Sequence, residues 1–408
     1  MSMLHKISIR QLIMVLCIIL VAALLCVLAR DRLQASLPIL KPEIVYAAPA
    51  RTATNNLVWP AYGQAAVGAS GYGVLATNGT RNPVPTASIA KLITALAVLK
   101  VKPLTVGEQG PILTLGQNDV NYYNTYVTEG GSVVPVTVGE QISEYQVIQA
   151  MLLPSANNMA DSLASWAFGS LVNYETYANR MVAALGLSQT RIGSDASGFL
   201  PATTSTASDL VRLGELAAAN PIIAGIASQS TATIPVAGTV KNVNWLLGTA
   251  GINGIKTGNT SQAGGVFIFS APYQVAPGHT VTLIGAIMQA PTLQKAMDSA
   301  LPLLTSSQKA FSVTSTVASG QVVGQYRVPW GGTVTAATTQ AVKSLAWQGR
   351  ALDKPTITLS SVAFPQLSGA VVGKVSYSQA ADNTAGSSPV RLTKSIPKPS
   401  VWWRLLHG

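Results

Sequence analysis

The sequence predicts an α+β domain that lies between one N-terminal membrane helix and a small all-β domain. Three observations support this architecture. Residues 12–29 form an uninterrupted run of 18 uncharged, almost wholly apolar residues. Strand-like patterns lie at both ends of residues 61–305, with helical patterns between them. After about residue 309, short runs rich in Val and Thr alternate with Gly-Gly, Pro-Trp and Ser-Gly, which is typical of all-β structure.

The apolar run near the N-terminus predicts a transmembrane signal-anchor over residues 11–30. Its length is that of a bilayer-spanning helix, and Lys6 and Arg10 precede it. Residues 1–10 are therefore expected in the cytoplasm and the rest of the chain outside it. A cleaved signal peptide is the alternative, because Val27-Leu28-Ala29 offers a small-residue end.

Residues 31–60 have the composition of a linker, and a denser pattern of apolar residues and glycines begins near Ala61. The α+β domain is accordingly placed at residues 61–305. Short or alternating apolar runs predict strands at Gly71–Ala76, Gly265–Ala271 and Val281–Met288. Helical periodicity predicts helices at Ser88–Leu99, Tyr145–Leu153, Met159–Phe168, Tyr174–Leu185 and Ser208–Ala219.

The C-terminal quarter is predicted as a β-rich domain over residues 306–383, followed by a linker and aromatic tail over residues 384–408. Residues 384–399 are rich in Ser and Pro, as linkers are. The tail carries Trp402 and Trp403 beside Arg404. We interpret it as a terminal strand docked on the β-rich domain, because it is too short for a stable amphipathic helix. An interfacial membrane contact is the alternative.

The composition excludes several classes of protein. Hydrophobic residues make up 48% of the chain and charged residues 10%, unlike a disordered chain. The formal net charge of +11 comes from scattered cations without a basic run, which argues against a nucleic-acid partner. Cys17 and Cys26 both lie in the apolar run, each after a leucine, so neither a lipoprotein signal nor a zinc site is indicated. A Ser-His-Asp triad would need His279, which lies in a turn, and no metal or other cofactor is predicted.

The first candidate catalytic motif is Ser88-Ile89-Ala90-Lys91, at the start of an apolar helix. Residues three apart share a helix face, so Lys91 Nζ can reach Ser88 Oγ. Burial lowers the pKa of a lysine, and its neutral amine can then act as a base. An S-x-x-K pattern alone is also typical of a helix-terminal serine and a lysine whose head reaches solvent.

Two further motifs follow, each weak on its own. Ser155-Ala156-Asn157 comes directly after Pro154, where a proline interrupts a helix and leaves polar side chains at a helix-to-helix turn. Lys256-Thr257-Gly258 leads into an apolar strand, and its glycine lets another backbone approach the strand edge. In this order and context, the three motifs form the S-x-x-K, S-x-N and K-T-G set of penicillin-recognising serine enzymes.

Beyond the motifs, about residues 60–305 resemble the low-molecular-mass penicillin-binding proteins that are D-alanyl-D-alanine carboxypeptidases, serine peptidase family S11. The resemblance implies a β-lactamase/transpeptidase-like fold, an antiparallel sheet with a helical cluster. It also implies removal of the terminal D-alanine from peptidoglycan stem peptides, covalent inhibition by β-lactam antibiotics, and a membrane-anchored enzyme whose catalytic domain faces the cell wall. The segments that carry it are Pro85–Ala95, Val138–Glu140, Leu152–Asn158, Thr204–Leu210 and Gly254–Thr260.

The same resemblance implies a role for each motif residue. Ser88 would be the nucleophile that carries the acyl group, and Lys91 its general base. Ser155 and Lys256 would relay a proton to the leaving D-alanine, and Asn157 would orient Lys91 and the substrate amide. The implied substrate-binding residues are Thr257, which would hold the terminal carboxylate, Gly258, and Asn259, whose backbone N–H would form an oxyanion hole with that of Ser88.

Two departures from the family pattern bear on function. Family members usually carry Asp after S-x-N, and Asn158 stands there in this chain, which we interpret as a difference in helix capping. The family's strand after K-T-G is commonly preceded by basic residues, whereas residues 277–280 occupy that place here and no Arg occurs from Thr257 to Leu304. We expect a weak clamp on the substrate carboxylate unless Arg191, Arg212 or His279 completes it.

Three alternatives stay open on the sequence. A DD-endopeptidase would use the same motifs. A class A-like β-lactamase would need a deacylating Glu-x-x-x-Asn, which Glu175 and Asn179 match in spacing, although their amphipathic helical setting favours a structural role. A catalytically idle wall-binding module would be expected to lack a motif residue, and none is missing.

Overall fold

The computed structural model describes residues 8–47, 56–352, 354–378 and 385–407. Helix α1 spans Ile9–Gln34, begins at a Ser8 cap and is exposed along its length. Within the described ranges, it is the one helix that by itself is long and apolar enough to cross a bilayer. Most of the predicted cytoplasmic segment, residues 1–7, lies outside the described residues, as does part of the predicted linker, residues 48–55.

The predicted linker over residues 31–60 is wrong in one respect. Strand β1, Pro42–Ile44, forms part of a sheet made otherwise by the C-terminal part of the chain. Its partner strand places Glu43 opposite Gln325. Leu40 just before it is buried and bridges to Val362. The chain therefore joins the C-terminal part before it enters the α+β part.

Each predicted helix and strand of the α+β part is present, with ends that differ by up to five residues. The predicted strand at Gly71–Ala76 starts two residues later in the structure. In chain order, the elements are β2 Gln64–Ala69, β3 Gly73–Gly79, β4 Val84–Pro85, α2 Ala90–Val101, β5 Ile112–Thr114, α3 Gln117–Thr128, β6 Gln141–Ser143, α4 Glu144–Leu152, α5 Asn157–Phe168, α6 Leu171–Ala184, β7 Thr204–Ser205, α7 Ala207–Ala219, α8 Pro221–Ala227, β8 Thr231–Ile234, β9 Gly238–Lys241, β10 Gly254–Thr260, β11 Gly264–Ala276, β12 His279–Ala290 and α9 Leu293–Ala310. Strand β2 and helices α3, α8 and α9 were not predicted. The turns Ala87–Ile89 and Thr249–Gly251 are short 3₁₀ helices.

A five-stranded antiparallel sheet, ordered β10-β11-β12-β2-β3, is the centre of the α+β part. Both of its faces are buried, because α7 packs on one face and α9 on the other. Side chains alternate along a strand, so Ile268 faces the α7 side while Phe267 and Phe269 face the α9 side. Strand β10 is an edge strand, and its outer side meets the 3₁₀ turn Ala87–Ile89.

The C-terminal part is all-β except for its last helix, and two sheets build it. One is ordered β1-β14-β15-β20-β19-β18 and the other β13-β16-β17. Their strands and the final helix are β13 Phe311–Val317, β14 Val322–Val328, β15 Gly332–Thr338, β16 Val342–Trp347, β17 Arg350–Ala351, β18 Thr356–Leu359, β19 Val371–Ser378, β20 Ala385–Leu392 and α10 Val401–His407.

Two predictions for the last 25 residues are wrong. Residues 384–399 are not only a linker, because β20 lies between β15 and β19 and pairs with both. The tail is a short helix instead of a strand, capped by Ser400 Oγ, which accepts from Trp403 N at 3.1 Å. Neighbours stabilise this helix: the Trp403 ring packs edge-on against Trp330, and Arg404 Nη2 donates to Ala35 O at 2.8 Å.

Candidate active site

The first motif lies at the junction of a 3₁₀ turn and a buried helix. Ser88 is in the turn Ala87–Ile89 and is half-buried, so its hydroxyl remains accessible. Lys91 is in the first turn of α2 and fully buried. Its Nζ donates to Ser88 Oγ at 2.7 Å. The structure therefore brings these two side chains together at the spacing that the motif requires.

Two other groups hold the amine of Lys91. Asn157 Oδ1 accepts from Lys91 Nζ at 2.7 Å, and Ser197 O accepts at 3.0 Å. Asn157 is the first residue of α5, so the break between α4 and α5 places its side chain beside the N-terminal end of α2. With Ser88, these acceptors use all three protons of an ammonium, and a neutral amine there would accept a proton from Ser88.

Ser155 and Lys256 form a second pair beside the first. Lys256 Nζ donates to Ser155 Oγ at 3.0 Å and to Thr257 O at 3.0 Å. Ser155 has a φ of 65°, in the left-handed region that a residue with a Cβ seldom adopts. Ala87, next to Ser88, has a φ of 48°. Such backbone costs on the order of 1–3 kcal/mol per residue and is retained where surrounding contacts fix it, as at active sites.

Strand β10 carries the third motif along the edge that faces Ser88. Thr257 is buried, opposite Phe267 in the register. A Cβ on Gly258 would lie 3.0 Å from Ser88 N, so this glycine allows the strand to approach the backbone of Ser88 closely. Asn259 is the next residue and is exposed. The eight predicted site residues therefore converge on one place, with Asn259 at its open side.

Burial lowers the pKa of both lysines, and for Lys91 the neighbouring cation adds to the effect. Burial lowers the pKa of Lys91 well below its ordinary value, and the nearby Lys256 lowers it further. The carboxyl groups of Asp195 and Asp161 act in the opposite direction. Burial lowers the pKa of Lys256 to about 7. A lysine amine that is partly neutral near pH 7 can accept a proton from a serine hydroxyl.

Sequence analysis missed the polar groups behind Lys91. Ser197 supplies the carbonyl that the lysine meets, and Asp161, Asp195 and Tyr126 are buried around it. Asp161 is four residues after Asn157 on α5, so the shared helix face was a usable signal. The Asp195-Ala196-Ser197 turn gave no such signal, because only the fold brings it to α2.

The residues of the β-lactamase alternative have a structural role. Asn179 is on α6 and its amide pairs with the backbone of Ile192, with Nδ2 to Ile192 O and Ile192 N to Oδ1 both at 3.0 Å. Glu175 is half-buried on the same helix. This pair secures α6 to the following segment, in agreement with the interpretation as a structural helix.

The structure places His279 away from K-T-G, while Arg191 and Arg212 make other contacts. His279 is at the β11–β12 hairpin, where it pairs with Ala276. That is nine residues along β11 from Phe267, the partner of Thr257, or roughly 30 Å at ~3.3 Å per residue. Residues 277–280 therefore do not lie beside the motif, and our assignment of them to that place is wrong. Arg212 is exposed and donates to Gly186 O, and Arg191 is exposed in a bridge to Thr204.

Asn158 is not a helix cap, which corrects our interpretation of that departure. The capping position of α5 is Ala156. The Asn158 side chain is buried, accepts from Val134 N at 3.2 Å and donates to Val134 O at 3.0 Å. The amide closes a two-bond ring that ties α5 to the loop before β6.

The comparisons with known proteins agree with this geometry. The family model described as D-alanyl-D-alanine carboxypeptidase matches residues 64–292, more than half of the chain. A D-alanyl-D-alanine endopeptidase of Pseudomonas aeruginosa is 30% identical over 218 residues, 50% of this chain and 66% of that protein. The D-alanyl-D-alanine carboxypeptidase DacD of Salmonella typhimurium is 28% identical over 62% of this chain and 63% of that protein.

The matched region thus spans somewhat less than two thirds of the length of these two curated relatives. Among solved structures, penicillin-binding protein 5 from Haemophilus influenzae superposes with a TM-score of 0.56 at 21% identity. The superposition covers 86% of this chain and 100% of that one. At this identity, the likeness establishes the fold, which is the β-lactamase/transpeptidase-like α+β fold that the resemblance implied.

Proposed function

The chain belongs to the D-alanyl-D-alanine carboxypeptidase family of serine peptidases, and on that premise we propose that it removes the terminal D-alanine from peptidoglycan stem peptides through an acyl-enzyme on Ser88. The observation that supports this most directly is the 2.7 Å contact between Lys91 Nζ and Ser88 Oγ, made by a fully buried lysine. β-Lactams would acylate the same serine, and slow hydrolysis of that acyl-enzyme would block the site.

In the proposed acylation step, Ser88 Oγ attacks the carbonyl carbon between the two D-alanines while Lys91 Nζ takes its proton. The C–N bond breaks as the tetrahedral intermediate collapses, and the leaving amine needs a proton. Ser155 Oγ can donate it and be reprotonated by Lys256, whose Nζ is 3.0 Å away. The products are free D-alanine and an ester on Ser88.

Deacylation reverses the roles. A water attacks the ester carbonyl and gives up a proton to the neutral amine, which after acylation is that of Lys256. Lys91 then returns its proton to Ser88 Oγ as the C–O bond to Ser88 breaks. Asn157 holds Lys91 in line for both steps through its 2.7 Å contact. The negative oxygen of each tetrahedral intermediate would be stabilised by the backbone N–H groups of Ser88 and Asn259. The close approach of β10 to the Ser88 backbone supports this assignment.

The apolar helix α1 and the wall-directed chemistry support one location. We infer that α1 anchors the chain in the cell membrane and that the catalytic part faces the cell wall. A stem peptide is a substrate of the wall side, since it is part of the polymer that lies outside the membrane.

A DD-endopeptidase is the second candidate, because a D-alanyl-D-alanine endopeptidase is among the relatives. A carboxypeptidase that depends on the free carboxylate of its substrate needs a cation or a well-placed donor for it. Thr257 can donate a hydrogen bond, but His279 lies away from K-T-G, and Arg191 and Arg212 make other contacts, as described above. An enzyme without such a cation would also accept a substrate whose D-alanine carboxylate is replaced by an amide.

We therefore predict weak discrimination between a pentapeptide ending in a free D-alanine and the same peptide amidated. A charge-assisted bond contributes about 1.5–3 kcal/mol, whereas a hydroxyl donor alone contributes less. The measurement is the ratio of kcat/KM for the two peptides, which we expect at about tenfold or below. A ratio above roughly a hundredfold would contradict it and show that a cation completes the clamp.

The proposed function is tested by labelling the chain with a fluorescent penicillin. Wild type is expected to label covalently and Ser88→Ala to remain unlabelled, while Ser312→Ala, on β13, labels as wild type. Mass analysis of muropeptides treated with each variant then identifies the bond cleaved. Loss of one D-alanine from monomers indicates the carboxypeptidase, and conversion of crosslinked dimers to monomers indicates the endopeptidase. Labelling of Ser88→Ala equal to wild type would refute the nucleophile.

A further inference from the structure

A buried carboxyl group lies behind Lys91, on the side away from Ser88. Asp161 is on α5, one helical turn after Asn157, and is 3% exposed. Its Oδ1 accepts from Ala196 N at 2.9 Å, and its Oδ2 accepts from Tyr126 OH at 2.7 Å. Both carboxylate oxygens therefore have a donor, and neither donor is a cation.

These contacts link Asp161 to Lys91 through the peptide that joins Ala196 and Ser197. Ala196 N–H is held by Asp161, and the carbonyl of the next residue, Ser197, accepts from Lys91 Nζ at 3.0 Å. Tyr126 OH also lies 3.3 Å from Ser197 Oγ, which donates to Asp195 Oδ2 at 2.6 Å. Two carboxylates thereby hold the turn that presents the Ser197 carbonyl. Asp161 binds the backbone of Ala196, and Asp195 binds the side chain of Ser197.

The charged and titratable groups around this cluster come from four elements. Lys91 is on α2, Tyr126 on α3, Tyr174 on α6 and Lys256 on β10, while Asp195 is in the segment between α6 and β7. Asp161 and Asp195 are the acidic groups that act on Lys91, and Lys256 is the neighbouring cation. Asp161 is thus part of the charge balance that decides how readily Lys91 releases its proton.

We propose that Asp161 is a positioning residue for the acylation chemistry: it aims the Ser197 carbonyl at Lys91 and places a negative charge behind the amine of Lys91. The proposal rests on the proposed function only in that Lys91 is the base. Asp161 does not touch substrate, and it acts through the Ala196–Ser197 peptide and through the field at Lys91.

The sign of the effect follows from the charges. Lys91 accepts the Ser88 proton only when its amine is neutral, so acylation rises as the pH passes through the pKa of Lys91. An ionised Asp161 favours the ammonium form and raises that pKa. Burial raises the pKa of Asp161 itself to about 7, so part of its charge is lost at lower pH. Removing the charge of Asp161 must therefore lower the pKa of Lys91 and shift the increase in acylation rate to lower pH.

The test is the second-order rate constant for acylation by a fluorescent penicillin, measured from pH 5 to 9. Asp161→Asn is nearly isosteric: its carbonyl oxygen can accept from Ala196 N and its NH₂ can donate to the phenol oxygen of Tyr126, so both contacts remain and the charge is lost. We expect the midpoint of the rise to fall by about one pH unit. Glu144→Gln is the matched control, because Glu144 is also a fully buried carboxyl group of this domain, and its midpoint should equal that of wild type.

A folded Asp161→Asn with a midpoint within about 0.2 units of wild type would overturn the proposal. If Asp161→Asn does not fold, Tyr126→Phe replaces it. Without that donor, the pKa of Asp161 rises and less of it is ionised, so the midpoint should again move down, by a smaller amount, and an unchanged midpoint overturns the proposal. If wild type is not acylated at all, the proposed function fails, and the ¹⁵Nζ titration of Lys91 in lysine-labelled protein decides the inference by the same shift.

Discussion

At the residue scale, the site retains two buried lysines that the fold would not keep for stability. An ammonium group loses its hydration when it is buried, and two of them so close repel each other. Each is compensated in part: Lys91 meets Ser88, Asn157 and Ser197, and Lys256 meets Ser155 and a backbone carbonyl. The uncompensated remainder appears as lowered pKa values, which are the property that a general base needs. Burying the two Nζ atoms thus lowers the stability of the fold and at the same time makes these amines more reactive.

This trade can be measured with Lys256→Met. The pKa of Lys256 is about 7 in the folded chain and 10.5 ordinarily, so the unfolded chain binds more protons between these values and wild-type stability rises with pH across them. We expect Lys256→Met to raise the free energy of unfolding by about 2–4 kcal/mol at pH 7 while abolishing acylation. Urea unfolding at pH 7 and pH 10 should show the gain shrinking at the higher pH. A gain that is as large at pH 10 would contradict the assignment.

At the element scale, the site depends on how closely β10 approaches the 3₁₀ turn that carries Ser88. Gly258 on the strand and Gly198 on the opposite side both face the Ala87–Ser88 backbone, and a Cβ on Gly198 would lie 2.2 Å from Ala87 O. The turn is therefore held between two backbone segments, of which one has no room for a Cβ at Gly198 and the other has only a tight fit at Gly258. This packing fixes the direction of the Ser88 N–H, which a flexible turn would not do.

Gly258→Ala tests this packing. Its Cβ would lie 3.0 Å from Ser88 N and 3.1 Å from Thr86 O, so the strand must move back by a few tenths of an ångström. We expect acylation to slow by about 10–100-fold with little change in thermal stability, since losing a whole oxyanion donor costs about 10²–10³. Gly225→Ala is the control, because nothing lies near its Cβ position. Equal acylation rates for the two variants would show that the approach is not needed.

The join between α5 and the loop before β6 gives a second prediction at this scale. Asn158→Asp keeps an acceptor for Val134 N but places a carboxylate oxygen against Val134 O, where the amide donates. We expect a loss of about 1–3 kcal/mol in the free energy of unfolding at pH 8.

The new carboxyl group should have a raised pKa in the folded chain, because its protonated form can donate to Val134 O. The stability it retains is then present at low pH and lost as the pH rises through that value. Urea unfolding at pH 5 and pH 8 measures this difference, with Asn124→Asp, an exposed change on α3, as the control. Equal losses for Asn158→Asp at both pH values would argue against the two-bond ring.

At the scale of the whole molecule, the segment that follows α1 packs against the C-terminal part, which is far away in sequence. Strand β1 adds to β14, Leu40 is buried in the C-terminal core, and α10 lies beside the end of α1. The segment after α1 is therefore structural, although its composition is that of a linker. A soluble fragment of the chain should keep it.

We predict that a fragment starting at residue 36 unfolds at a higher temperature than one starting at residue 56. The shorter fragment loses the β1 pairing and the buried Leu40 side chain, whose burial contributes about 1.5–3 kcal/mol. Calorimetry should show a difference of several degrees. Penicillin labelling should be equal, since the motif residues lie in residues 88–259. Identical unfolding temperatures would mean that β1 adds no stability.

The sequence predicts the parts of this molecule whose signal is local. The helix at Ser208–Ala219 is correct to one residue because its periodicity is strong, and the three motifs converge because each sits at a well-marked element boundary. Strand β20 is missed because its serines and proline give it the composition of a linker, although it pairs with β19 just before it. Strand β1 is missed because its partner strand β14 is hundreds of residues away. The same holds at the site: Asp161 and the Ser197 carbonyl act on Lys91 only once α5 and the segment before β7 pack against α2.

The pairing of β1 with β14 also sets an order in time. Glu43 and Gln325 are 282 residues apart, and β20 enters the middle of the same sheet later still. During synthesis and export, β1 emerges early and must wait unpaired until nearly the whole chain has followed it. The α+β part, whose strands and helices are complete by residue 310, can fold in that interval. Contacts of such long separation form slowly, so the C-terminal sheet is the part of a nascent chain that stays open longest to chaperones and proteases.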